Sequence, residues 1–138
     1  RVSARGYAHV ELLAGELEDP ATVARVRALG GADAVFASRV LHHVPRPLAA
    51  LRALAALARP GGAVAVIDYR AHADERLREQ QADLWLGFEP KELTDLARRA
   101  GLRGARVTRI PSARCGDGPD GHLDWQVLVA RTREPEPS

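Results

Sequence analysis

Two consecutive histidines, His42 and His43, an aspartate closing an apolar run, Asp68, and two glutamates beside a glycine turn, Glu16 and Glu18, offer more than packing. Imidazole binds metals or moves protons near neutral pH, and a neighbouring carboxylate decides which ring nitrogen carries the hydrogen. Three segments hold these groups: Gly15-Glu16-Leu17-Glu18, Ser38-Arg39-Val40-Leu41-His42-His43 and Asp68-Tyr69-Arg70. Each follows a short apolar stretch. In an open α/β sheet, ligands bind beyond the carboxyl ends of the strands. On one shared edge, these segments would present carboxylates, backbone amides, imidazoles and a guanidinium to a polar ligand. Each segment equally fits a solvated loop, because every strand must end in polar residues.

Other chemistries find little support. Adjacent histidines off a helix point in different directions, and no His-Glu-x-x-His, cysteine pair or acidic third ligand stands close by, so no metal is expected. His72 and His122 have no sequence feature that joins them, and Asp68 and His72, four apart, fit a proton-sharing pair or an ordinary helix start. None of the serines sits in a nucleophile elbow. Cys115, beside Arg114, reads as an incidental surface thiol. No Gly-x-Gly-x-x-Gly turn follows a strand and opens a helix, and Gly61-Gly62 precedes a strand, so it is structural.

The elements that must position these groups alternate. Val10–Ala14 reads as a short extended segment and Asp19-Pro20 as a helix start, with Val23, Val26 and Leu29 as its apolar stripe. Ala34–Ala37 is a buried strand. Leu48, Leu51, Leu54 and Leu57 mark a helix that Pro60-Gly61-Gly62 stops, and Ala63–Ile67 is the next strand. Residues 71–84 have helical propensity. Trp85, Leu86 and Phe88 fit either a lid or core filler. A helix begins near Pro90 and ends near Gly101, and strands follow at Ala105–Ile110 and Trp125–Ala130, joined by a Gly- and Pro-rich loop. Residues 1–7 resemble a helix end closing at Gly6, and residues 131–138 a polar tail. This order implies an α/β layered fold with a mainly parallel sheet.

The chain has 138 residues, 46% hydrophobic and 28% charged, which is one globular domain. Twenty Lys+Arg against 18 Asp+Glu leave a net charge of +2, without the basic field of a nucleic-acid binder. No apolar run approaches the length of a membrane span. One cysteine excludes an internal disulfide, and with no sign of secretion the expected location is cytoplasmic. The chain has no methionine and begins at Arg1, from which an upstream portion is expected.

Asp33 to Pro47, with its Ser38-Arg39-Val40-Leu41-His42-His43 core, resembles the fourth strand and following loop of class I S-adenosylmethionine-dependent methyltransferases. Leu57 to Asp68 resembles that family's helix, Pro-Gly-Gly turn and fifth strand, and Gly15 to Asp19 the turn after its third strand. The resemblance spans about residues 5–130, leaving 131–138 as the tail. Trp85-Leu86-Gly87-Phe88 before a helix is similar to the methyltransferase half fused behind ArsR-type winged helices.

The resemblance implies a Rossmann-like sheet, strand order three, two, one, four, five, seven, six, with an antiparallel last strand. It implies S-adenosylmethionine as cofactor and a small molecule as methyl acceptor. Glu16 and Leu17 would meet the adenine, Ser38, Arg39 and Val40 the methionine portion, and His42 and His43 would lie on the methyl-transfer side, where the acceptor's proton leaves to His42, His43 or water. Asp68, Tyr69 and Arg70 would lie on the acceptor side. The family's first two strands, with their glycine-rich turn and ribose-binding acid, have no counterpart here, so the chain is expected to be the C-terminal part of such a domain. An exposed sheet edge able to self-associate follows, as does the possibility of an upstream winged helix. A non-catalytic cofactor-sensing domain and a different Rossmann-like enzyme are the alternatives.

Overall fold

The computed structural model describes residues 8–111, 118 and 121–134. Four strands form one sheet: β1 (Ala32–Ser38), β2 (Ala58–Tyr69), β3 (Arg103–Ile110) and β4 (Trp125–Arg131), in the spatial order β1-β2-β4-β3. β1 and β2 pair in parallel, with Val35 opposite Val64 and Ala37 opposite Val66. β4 runs antiparallel to both its neighbours. β1, β2 and β3 therefore share one direction and only the last strand is reversed, as the resemblance implies for strands four, five, seven and six.

The helices are α1 (Pro20–Ala28), α2 (Pro47–Leu57), α3 (Arg76–Gln80) and α4 (Pro90–Arg99), with a single 3₁₀ turn at Leu41–His43. Asp19 caps α1, its carboxylate accepting from the amide of Ala21 at 2.9 Å. In α4, the Glu92 side chain reaches back to the Glu89 amide at 2.9 Å. The leucine stripe of α2 delivers Leu51 and Leu54 to the core, and α4 delivers Leu93 and Ala97. They pack with Val64, Val66, Leu128 and Ala130 of the sheet, Leu41 of the 3₁₀ turn and Phe88. A smaller cluster of Tyr69, Leu77, Leu123 and Trp125 lies where β2 ends and β4 begins.

Some sequence expectations shift. Residues 10–14 form no strand, and Val10 and Leu12 stay exposed. In the family order the third strand pairs with the second, and without that ladder an extended segment has nowhere to place its backbone hydrogen bonds. Of residues 71–84 only five become helix, because Asp74 turns its carboxylate onto the Arg76 amide and Ala82 adopts a left-handed conformation at φ 57. Pro60-Gly61-Gly62 does not separate α2 from a later strand. The extended backbone begins at Ala58, and the turn is an excursion within β2 that shifts the pairing with β1 between Ala32 and Ala34. A Cβ on Gly62 would stand about 3 Å from the carbonyl oxygens of Arg59, Ala32 and Asp33, so glycine is required there. The tail begins later than expected: Arg131 belongs to β4, and the Thr132 hydroxyl donates to Arg59 O at 2.7 Å. The expected helix end at Gly6, Cys115 and most of the loop before Asp124 lie outside the described residues. Among the described residues, no helix is long and apolar enough to cross a membrane.

Candidate functional site

The carboxyl ends of β1 and β2 lie side by side, and each supplies one half of a buried pair. β2 ends in Asp68 and Tyr69. β1 ends at Ser38, after which Arg39 takes φ 62 and the chain bends into the 3₁₀ turn carrying His42. His42 Nδ1 lies 2.7 Å from Asp68 Oδ1, with both side chains essentially inaccessible. The His42 amide donates to Asp68 Oδ2 at 3.3 Å, and the Tyr69 amide to Oδ1 at 2.8 Å. The carboxylate is thus satisfied by two backbone amides and one imidazole. Because ionised Asp68 only accepts, His42 carries its hydrogen on Nδ1, and Nε2 faces away from β2.

Nε2 faces Asp83. That carboxylate sits 3.6 Å from His42 Nε2 and 3.6 Å from His43 Nδ1, and its side chain has no exposed surface. Neither carboxylate oxygen has a hydrogen-bond partner. His43 is the open side of the cluster, with 42% of its side chain exposed and its ring centre 4.0 Å from that of His42. The loop bearing Asp83 is clamped to the 3₁₀ turn: the amides of Leu84 and Trp85 donate to His42 O at 2.8 and 3.1 Å, and the Trp85 indole to Val44 O at 2.8 Å.

Tyr69 stacks between the His42 ring and Trp125, each 4.4 Å away, and the Arg39 guanidinium lies 4.6 Å over the Trp125 ring. Asp68 and Tyr69 are both buried. Arg70 lies further out, in a surface groove with His72, Glu89, Arg109 and His122.

Of the cofactor candidates, Glu16 and Ser38 are exposed, while Leu17 and Val40 pack against the main core. The Glu16 turn stands beside the β1–α2 loop, since Glu18 pairs with Arg46 at 3.5 Å. Phe88 is buried in the core and Trp85 is exposed, and both line an open groove of about 630 Å³ with Pro45, Arg46, Arg52 and Glu92.

Asp83 gave no signal in the sequence, standing in a polar stretch forty residues beyond its partners. Asp74 was equally silent, yet it joins His72 and His122: the His122 Nε2 lies 2.8 Å from Asp74 Oδ2, and the Asp74 amide donates to His72 Nδ1 at 3.1 Å. The Arg76 guanidinium, forked onto Asp74, holds that carboxyl well below the usual carboxylate range. Burial pushes the His72 imidazole down.

A family model for a methyltransferase domain matches residues 8–106. The chain belongs to this methyltransferase domain family. Solved structures share its fold. The 1,6-didemethyltoxoflavin-N1-methyltransferase of Burkholderia thailandensis, with 1,6-didemethyltoxoflavin and S-adenosylhomocysteine bound, is 22% identical, with a TM-score of 0.68 over 96% of this chain and 55% of its own. The N-methyltransferase NodS of Bradyrhizobium japonicum, in complex with S-adenosylhomocysteine, is 12% identical, with a TM-score of 0.63 over 96% and 59%. Human N-acetylserotonin methyltransferase in complex with SAM is 19% identical, with a TM-score of 0.58 over 96% and 37%. The chain spans between about a third and three fifths of the length of these proteins. No curated protein sequence matches it.

Proposed function

We propose that this chain is part of an enzyme that transfers a methyl group from S-adenosylmethionine to a small molecule in the cytoplasm. The observation that carries the reading is the Asp68–His42 pair at the carboxyl ends of two parallel strands, with His43 exposed beside it. Family membership supports the reaction class, and the bound SAM or S-adenosylhomocysteine of the three similar structures supports the cofactor.

The residues present suit one side of such a cofactor. Glu16 offers an open carboxylate at a glycine turn, and Ser38 stays exposed where Arg39 turns the backbone away from β1. In this reading Glu16 and Leu17 hold the adenine, and Ser38, Arg39 and Val40 flank the methionine portion. Bound S-adenosylmethionine supplies an electrophilic methyl group on sulfur, open to in-line attack by an acceptor heteroatom. The chain's own work is positioning and proton removal. Asp68 fixes the His42 ring, His42 backs the His43 ring, and His43 takes the proton the acceptor loses. Tyr69 and Trp125 wall the pair from the β4 side, and Arg70, in the neighbouring groove, is assigned to the far end of the acceptor.

Calorimetric titration of the chain with S-adenosylhomocysteine tests this. With only one side of the site present, binding weaker than micromolar is expected, and Glu16→Ala should weaken it about tenfold further, the loss of one charge-assisted hydrogen bond. No binding heat from a folded chain would assign cofactor binding to a longer parent protein, whereas binding that Glu16→Ala leaves unchanged would remove the adenine contact from Glu16.

A further inference from the structure

Asp83 poses an electrostatic problem that the cofactor reading leaves unsolved. A carboxylate with no exposed surface and no hydrogen-bond donor on either oxygen is strongly disfavoured unless a cation compensates it. Two imidazole nitrogens flank it, His42 Nε2 and His43 Nδ1, each 3.6 Å from Asp83 Oδ1; His43 Nδ1 also lies 3.4 Å from Ala82 O, a contact that a bound ion replaces. The spacing to Asp83 is long for an N–H···O bond, which closes to about 2.7–3.2 Å. It is close to the separation of two donors sharing one ion with bonds of about 2.0–2.2 Å. The three donor atoms all lie within 4.8 Å of one another.

We propose that His42 Nε2, His43 Nδ1 and Asp83 form a binding site for a divalent first-row transition-metal ion. Two imidazoles and one carboxylate suit zinc, cobalt, iron or manganese, whereas calcium and magnesium favour oxygen donors. The surroundings are those of a built site. Asp68 accepts from His42 Nδ1 at 2.7 Å, which leaves the Nε2 lone pair directed at Asp83; metal-bound histidines are commonly held this way by a carboxylate. The Asp83 loop is tied down by the Leu84 and Trp85 amides on His42 O, and Ala82 accepts a left-handed backbone immediately before the ligand. His43, the half-exposed member, gives solvent access.

Three protein donors leave at least one coordination position for water or for an oxygen of a small molecule. An acceptor hydroxyl bound there would lose its proton more readily, a role that rests on the methyl-transfer reading, whereas ion binding itself does not. With the ion in place both imidazoles are ligands, so His43 cannot also take the acceptor's proton. The metal titration decides between these two uses.

The test is cobalt(II) added to the untagged, chelator-treated chain, followed by visible d–d absorption and equilibrium dialysis. One equivalent per chain is expected, displaced by zinc. Asp83→Asn should lower the affinity at least tenfold, and His122→Ala, in the separate Asp74 cluster, should leave it unchanged. Without metal, Asp83→Asn should melt at or above the wild-type temperature, because it removes an unpaired buried charge. Should that variant fail to fold, His43→Gln at the half-exposed position gives the same reading. Absence of the absorption band, or binding lost in His122→Ala and kept in Asp83→Asn or His43→Gln, would overturn the proposal.

Discussion

His42 and His72 show how far the environment separates residues of one type. His42 is held by Asp68 and faces a second carboxylate, while His72 loses water without gaining a strong partner. Burial lowers the His72 pKa from its usual 6.5, with Asp74 and Asp83 opposing and His122 and His42 adding to the shift. The amide of Asp74 donates to His72 Nδ1, which also requires the unprotonated ring. The unfolded chain therefore takes up this proton at a higher pH than the folded one. The stability His72 contributes is complete above about pH 6.5 and is lost as pH falls through its lower folded value. Urea midpoints measured from pH 7.5 to 5 should fall with acid, and His72→Gln should flatten part of that slope. An unchanged slope would show that the loss lies elsewhere. Sequence reasoning reached His42, His43 and Asp68 because their segments follow apolar runs read as strands. It missed Asp83 and Asp74, whose importance arises only when the 71–88 connection folds back over the strand ends.

Strands were the legible elements. Ala34–Ala37, Ala63–Ile67, Ala105–Ile110 and Trp125–Ala130 all fall inside observed strands, since short apolar runs bounded by Gly and Pro have few other uses. The connection between β2 and α4 was not legible, because its shape depends on tertiary hydrogen bonds. There Gly87, at φ 76, lets residues 86–88 lie against the end of β2: the Ala71 amide donates to Phe88 O, and the Phe88 amide to Tyr69 O. A Cβ on Gly87 would overlap Arg70 O, a contact that side chains do not make. Gly87→Ala should destabilise the fold by more than about 2 kcal/mol, the left-handed backbone and the clash acting together. Chemical denaturation measures this. A loss under about 0.5 kcal/mol would mean that the segment repacks freely.

The sheet of the whole molecule has two unequal faces. α2 and α4 cover the face bearing Val64, Val66 and Leu128. On the other face Phe36, Ala65 and Val129 stand in one row across three strands, with Phe36 78% and Val129 43% exposed. Parallel sheets ordinarily have both faces covered, so association through this row joins the expected edge pairing of β1 as a source of self-association. Sedimentation velocity should show the chain associating as its concentration rises, and Phe36→Lys should suppress this without lowering the melting temperature. Equal association by both proteins would leave the strand edge as the source.

β4 has a further consequence, in the order of synthesis. Among the described residues it is the last strand along the chain, an inner strand of the sheet, the partner of β3 and the reversed neighbour of β2. While a ribosome is still making residues 111–124, β1 and β2 can already pair, but β3 has no ladder to join. Trp125, the residue that Arg39 and Tyr69 pack against, has not yet been made. The wall of the histidine cluster is thus added last, and a nascent chain stalled before residue 125 would expose Tyr69 and Leu128's side of the core to whatever binds unfinished proteins.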